Sequence, residues 1–188
     1  MTRIVLMTSN LTGYDIIGNI HGHATQLKSL LVSLGYREHQ HGFRRSDRMA
    51  LFVGDFVDCG PAIGNVISIA WVMVDALAVM GDHEYNAIAF HTHRPGKPSS
   101  GKSNEWFWPH SEKNVKQHRA TLDQLSTVEM ADAIQWFKTL PVALDLDGIR
   151  VAHAAWWDEQ IAVINRSLDS LGDSLRNSCL SRSEVGVI

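Results

Sequence analysis

Cysteine is nearly absent from this 188-residue chain. Cys59 and Cys179 are too few for a disulfide scaffold and fit a reducing, cytoplasmic compartment. No charge of one sign prevails: 17 basic residues stand against 20 acidic ones, for a net charge of −3 with histidine neutral. There is no long basic run either, which argues against nucleic acid as a partner held by charge. Long hydrophobic runs are missing as well. Ile4-Val5-Leu6-Met7 is too short for a signal segment or a membrane span, so no membrane partner is expected. No internal repeat is visible. What is present is ordinary globular usage, with 45% hydrophobic and 20% charged residues, which excludes a disordered chain, a collagen-like fibre and a coiled coil. The length suits one domain. The unusual count is histidine, of which there are 10.

From Tyr14 onward, short apolar runs alternate with helical patterns. Residues 14–17 read as a buried strand ending in the turn Gly18-Asn19-Ile20-His21-Gly22. Leu27, Leu30, Leu31 and Leu34 then follow a helical period, with Gly35 where a helix C-terminus favours glycine. A strand over 49–53 closes on Gly54-Asp55, and Pro61 suits the first turn of a helix reaching Asp75. A third strand, 77–80, closes on Gly81-Asp82. This alternation predicts an α/β layered fold. Residues 91–109 carry no period and read as a loop, followed by a helix over 111–125. Ser126-Thr127-Val128-Glu129 forms a capping box for a helix that stops before Pro141. Segments 142–146 and 149–153 flank Asp147-Gly148 as a hairpin, and Ile161, Ile164, Leu168, Leu171 and Leu175 mark a last amphipathic helix.

Three of these strands end in glycine followed by potential metal ligands: Asn19 and His21, Asp55 and Asp58, and Asp82 with His83 and Glu84. The second strand of the hairpin ends at His153. Ligands at the C-terminal ends of neighbouring strands converge where α/β proteins bind substrates. Carboxylate, amide and imidazole together suit Mn, Fe or Zn, and a carboxylate shared by two such sets builds a two-metal site. For each residue alone, the competing explanation is turn chemistry, since Asn and Asp favour the ends of strands. Glu84 is expected to brace the following helix rather than touch substrate.

Gly18-Asn19-Ile20-His21-Gly22, Gly54-Asp55-Phe56-Val57-Asp58-Cys59-Gly60 and Gly81-Asp82-His83-Glu84 resemble, in order and spacing, the three signature blocks of calcineurin-like metallophosphoesterases. Pro109-His110-Ser111-Glu112-Lys113-Asn114 and Val151-Ala152-His153-Ala154-Ala155-Trp156 resemble the bacterial branch related to Ser/Thr protein phosphatases and diadenosine tetraphosphatases. The resemblance implies an α/β fold of layered β-sandwich type flanked by helices, without the family's C-terminal portion. It divides the chain into an N-terminal extension (1–13), the metallophosphoesterase-like domain (14–165) and a C-terminal helix and tail (166–188). It implies that Asn19 and His21 hold a first metal, Asp82 and His153 a second, and that Asp55 bridges both. His83, oriented by Asp58, would protonate the leaving oxygen or steady the phosphoryl charge. The cofactors would be two divalent ions, Mn before Fe or Zn, and the reaction hydrolysis of a phosphoester or phosphoanhydride by a hydroxide bound between them. A phosphorylated small molecule, a dinucleoside polyphosphate and a phosphoprotein all fit as substrate.

Four departures from the family pattern are visible. Asn19 stands for an aspartate and Asp82 for an asparagine, so formal ligand charge is kept but redistributed. Cys59 stands for the arginine that would bind substrate phosphate, and a thiol cannot make its bidentate charge-assisted bonds. No histidine follows His153, although the family completes its site with a later block. These changes support an alternative, a catalytically impaired relic that binds metal or a phospho-ligand. A third possibility is a P-loop, because residues 96–103 spell G-x4-G-K-S, but no buried strand precedes them and Pro109 interrupts any helix that follows. His23, His91 and His93 are expected to be surface or hydrogen-bonded histidines. His110 and His118 are expected on a solvated basic face with Lys113, Lys116 and Arg119. Trp106, Trp108, Trp156 and Trp157 either stack on a base or cover the sheet.

Overall fold

The computed structural model describes residues 11–39, 42–73, 76–95, 105–146 and 148–170. Its centre is a three-stranded parallel sheet in the order β1 (Gly13–Ile17), β4 (Arg48–Phe52), β5 (Ala76–Ala78). Between β1 and β4 lie α1 (Ala24–Ser33) and a small antiparallel hairpin, β2 (Arg37–His39) with β3 (Gly42–Arg44). Then α2 (Ile63–Val72) connects β4 to β5. After β5 come α3 (Asp82–Phe90), α4 (Glu112–Gln124) and α5 (Thr127–Phe137). A second hairpin, β6 (Ala143–Leu146) and β7 (Ile149–Ala152), leads to α6 (Asp158–Ser170).

The two faces of the sheet have different covers, as the alternation of side chains along a strand requires. Ile17, Ala50 and Phe52 face the helices and join Leu27, Leu31, Phe56, Ile63, Val66 and Phe137 in the larger core. Leu51 and Val79 face the other way and pack against Leu144, Leu146 and Val151 of the β6–β7 hairpin. The result is a mixed α/β fold with a small sheet, helices on one face and a hairpin on the other.

Several element boundaries differ from the sequence reading for identifiable reasons. Pro61 lies ahead of α2, whose N-cap is Ala62, and the helix ends at Val72. Asp75 is outside the described residues. The β2–β3 hairpin was not expected, because residues 37–44 are mostly charged or polar and, among those described, only Phe43 turns into the core. Its neighbour Tyr36 is also buried, donating through its hydroxyl to Asp15 Oδ2 at 3.0 Å. The expected capping box is present, with Ser126 and Glu129 each accepting from the other's backbone N–H. The domain boundary placed at 165/166 falls inside α6. Leu171 and Leu175, residues 96–103 of the P-loop-like segment, and Cys179 lie outside the described residues.

Candidate metal centre

The strand-end turns owe their shape to left-handed backbone. Asn19, His21, Asp55 and Asp58 all have positive φ, at 49°, 44°, 57° and 82°. A non-glycine residue rarely adopts this conformation, and clusters of it mark functional sites. Glu84 explains why the Gly54–Asp58 turn can hold it. Fully buried in the first turn of α3, Glu84 accepts from the backbone N–H groups of Asp55 and Gly81 through Oε2 and from that of Phe56 through Oε1, at 2.8, 3.0 and 2.8 Å. The first two signature turns touch where Gly60 N–H donates to His21 O at 2.5 Å. A Cβ on Gly60 would stand 2.7 Å from the Gly22 carbonyl carbon, so the approach needs a glycine there.

Asp55, 3% exposed, is the centre of the arrangement. His21 Nδ1 lies 2.9 Å from Val57 O and His153 Nδ1 lies 2.6 Å from Val53 O. A carbonyl only accepts, so Nδ1 carries the proton in both rings and the neutral imidazole presents its lone pair at Nε2. Those Nε2 atoms stand 3.4 and 3.5 Å from Asp55 Oδ2, and His153 Nε2 is also 3.2 Å from Asp82 Oδ1. The Asn19 side chain reaches Asp55 Oδ2 at 3.2 Å, and turning its amide over would present oxygen instead. Asp55 Oδ1 is buried with no hydrogen-bond partner. Several lone pairs therefore converge with few protons between them, a set that cations satisfy. Two groups share Asp55, namely His21 with His83 and Asp82 with His153, each with its ligand atoms within 4.8 Å of one another. The residues present fit a pair of divalent metal ions.

Beside this set, His83 Nδ1 lies 2.8 Å from Asp58 Oδ2. That bond, with the charges of Asp55 and Asp82 nearby, pushes the imidazole up to about 9. Burial pushes Asp58 up, but bonds from His118 and His83 outweigh it and hold the carboxyl at about 2. Cys59, next in sequence, is an exposed thiol, pushed up by partial burial and by Asp58 and Asp55. It brings no positive charge to the site.

The expectation for His118 is overturned. This residue is fully buried, and its Nδ1 lies 2.6 Å from Asp58 Oδ1. His110 precedes α4 and stacks between Phe90 and Trp106, with ring centroids 3.8 and 4.5 Å away. Nor is His91 a satisfied surface histidine, because its Nε2 is buried without a partner. Trp157 is exposed and Trp156 lies under Arg150. The sequence reading missed His118, Thr121 and Gln124. The available signal was a polar residue at every third position of a helix, which a solvated face mimics.

Comparison with known proteins agrees with the residues. No family model matches the chain. A stretch of 73 residues is 37% identical to the bis(5′-nucleosyl)-tetraphosphatase PrpE (asymmetrical) of Oceanobacillus iheyensis, covering 37% of this chain and 29% of that protein. A stretch of 74 residues is 38% identical to the protein of the same name from Halalkalibacterium halodurans, covering 37% and 30%. Over these stretches the chain is similar to those tetraphosphatases. It spans less than a third of the length of these curated relatives. The fold extends the likeness: the crystal structure of the cold-active protein-tyrosine phosphatase of a psychrophilic Shewanella superposes with a TM-score of 0.54 at 16% identity, over 93% of this chain and 49% of that one. Asn19, His21, Asp55, Asp58, Cys59, Asp82, His83 and His153 all lie in or beside one cluster, drawn from the ends of β1, β4, β5 and β7. Among the described residues, no helix is long and apolar enough to cross a membrane.

Proposed function

We propose that this chain is a cytoplasmic, metal-dependent phosphoesterase of layered β-sandwich type, which hydrolyses a phosphoester or phosphoanhydride with two divalent ions, manganese before iron or zinc. The observation that carries the reading is the sharing of buried Asp55 by two His/Asp groups, with the Nε2 atoms of His21 and His153 aimed at one carboxylate oxygen. Asn19, His21 and Asp55 would hold one ion, and Asp55, Asp82 and His153 the other. Such a pair supplies an activated water and neutralises phosphoryl charge.

The remaining work falls to the chain's own side chains. His83, a cation near neutral pH, donates its proton to the leaving oxygen, while Asp58 holds its Nδ1 and fixes the direction of the ring. That charge also disfavours His83 as a metal ligand, although it lies near His21 and Asp55. Glu84 keeps the Asp55 turn in shape. The substrate class is a phosphorylated small molecule or protein, or a dinucleoside polyphosphate as in the names of the curated relatives.

A second reading, an impaired relic that still binds metal or a phospho-ligand, is favoured by the neutral thiol of Cys59 and by the uncharged Asn19. The test is hydrolysis of p-nitrophenyl phosphate and diadenosine tetraphosphate by manganese-loaded protein, with bound metal counted. Asp55→Asn is expected to lower turnover by at least about 100-fold and to reduce bound metal. A silent parent that gains turnover in Cys59→Arg with Asn19→Asp would establish the second reading instead.

A further inference from the structure

We infer that α4 is a clamp on the Asp58 turn, and that His118, Thr121 and Gln124 are positioning residues for the Asp58–His83 pair. The inference rests on the phosphoesterase reading for its catalytic consequence and on geometry alone for the clamp itself.

Spaced at i, i+3 and i+6, the three side chains leave α4 on one side. All three meet the segment that runs from Asp58 into α2. His118 Nδ1 donates to Asp58 Oδ1 at 2.6 Å. The Thr121 hydroxyl donates to the same oxygen at 2.6 Å and accepts from Asp58 N–H at 3.0 Å. Gln124 Nε2 donates to Gly60 O at 2.8 Å, and its Oε1 accepts from Ile63 N–H at 3.0 Å, supplying the N-terminus of α2 with an acceptor that its own N-cap, Ala62, lacks. Each bond joins residues 60 or more positions apart.

The division of Asp58 between its neighbours gives the clamp its purpose. Oδ1 takes the two α4 donors and Oδ2 takes His83. With Oδ1 pinned, the carboxylate plane cannot turn, and Oδ2 stays in line with His83 Nδ1. Asp58 itself has φ of 82°, a left-handed conformation that persists only where its surroundings over-determine it. Thr121 supplies that constraint by binding backbone and side chain of Asp58 together. His118 and Thr121 are 0 and 1% exposed, so water cannot replace their bonds without repacking. A purely space-filling role would require volume but not hydrogen-bond donors, and this difference decides the test.

Thr121→Val keeps the shape and removes the hydroxyl, whereas Thr121→Ser keeps the hydroxyl. His118→Leu removes the donor, whereas His118→Asn places an amide N–H near the original Nδ1. Two readouts are needed on the whole chain. The first is the hydrogen-bonded Nδ1–H proton of His83, observed by NMR in metal-free, histidine-labelled protein and assigned by its loss in His83→Gln. It is expected to move or broaden in Thr121→Val and His118→Leu, and to return near its parent position in Thr121→Ser and His118→Asn. The second is turnover of manganese-loaded protein, where kcat is expected to fall about 10- to 100-fold in the donor-less variants with KM within about twofold. Should the parent show no turnover, the phosphoesterase reading fails while the NMR comparison still decides the clamp. Should His118→Leu fail to fold, the Thr121 pair alone decides. A His83 resonance and kcat that are the same in Thr121→Val as in Thr121→Ser would overturn the proposal.

Discussion

His83 and His91 begin and end nearly the same helix, yet their surroundings drive them in opposite directions. A bond to Asp58 pushes His83 up to about 9, while burial and the nearby His118 and His110 hold His91 at about 4. For His83 the consequence is chemical. As the proposed proton donor, it should matter most where the leaving group most needs a proton. His83→Gln is expected to cost about 100-fold in kcat on an alkyl phosphate and clearly less on p-nitrophenyl phosphate, and equal losses on the two substrates would refute the donor role. For His91 the consequence is stability. The unfolded chain protonates this side chain below about pH 6.5, but the folded chain resists until about pH 4. The His91 contribution to stability should therefore fall as pH drops through that window and stay flat above it, whereas the His83 contribution, with its folded value raised, is lost as pH rises from about 6.5 to about 9. Urea midpoints at pH 7.5 and 4.5 test this. His91→Phe is expected to lessen the loss by about 1–2 kcal/mol, with allowance for partial exposure.

Helix ends decide much at the level of elements. α5 starts with a complete capping box, in which Ser126 Oγ accepts from Glu129 N–H at 3.3 Å and Glu129 Oε2 accepts from Ser126 N–H at 2.8 Å. Ser126→Ala should lower unfolding free energy by about 1 kcal/mol, read from denaturant titration, and should leave metal content unchanged. α2 is built differently, since its N-terminus borrows Gln124 from another helix. The contrast shows how far elements were legible in the chain. The α5 cap was readable because its partners are three residues apart. The α2 cap was not, because its donor and acceptor are separated by 61 residues. The β2–β3 hairpin was hidden for a related reason: its identity comes from Phe43 and Tyr36 reaching the core, and its other side chains carry no strand-like alternation.

Across the whole molecule, the candidate centre joins the C-terminal ends of the parallel strands to the hairpin that covers their far face. Binding of metal should therefore tie the two layers together through Asp55 and His153. Manganese at about 100 times its dissociation constant is expected to add about 2.7 kcal/mol, which for a chain of this size raises Tm by about 5–10 °C. Chelator should reverse the shift, and Asp55→Asn should abolish it. A Tm indifferent to metal would count against the centre. Local sequence by itself determined the order of the main strands and helices, the glycine-ended turns and the residues available as ligands, because hydrophobic period and turn chemistry act over a few neighbours. It could not say that His153 would fix its ring on Val53, 100 residues away, or that His118 would be buried against Asp58. Those outcomes depend on which helix and which hairpin pack on each face of the sheet. Only the tertiary structure decided them, since a long-range contact leaves no period in the chain that makes it.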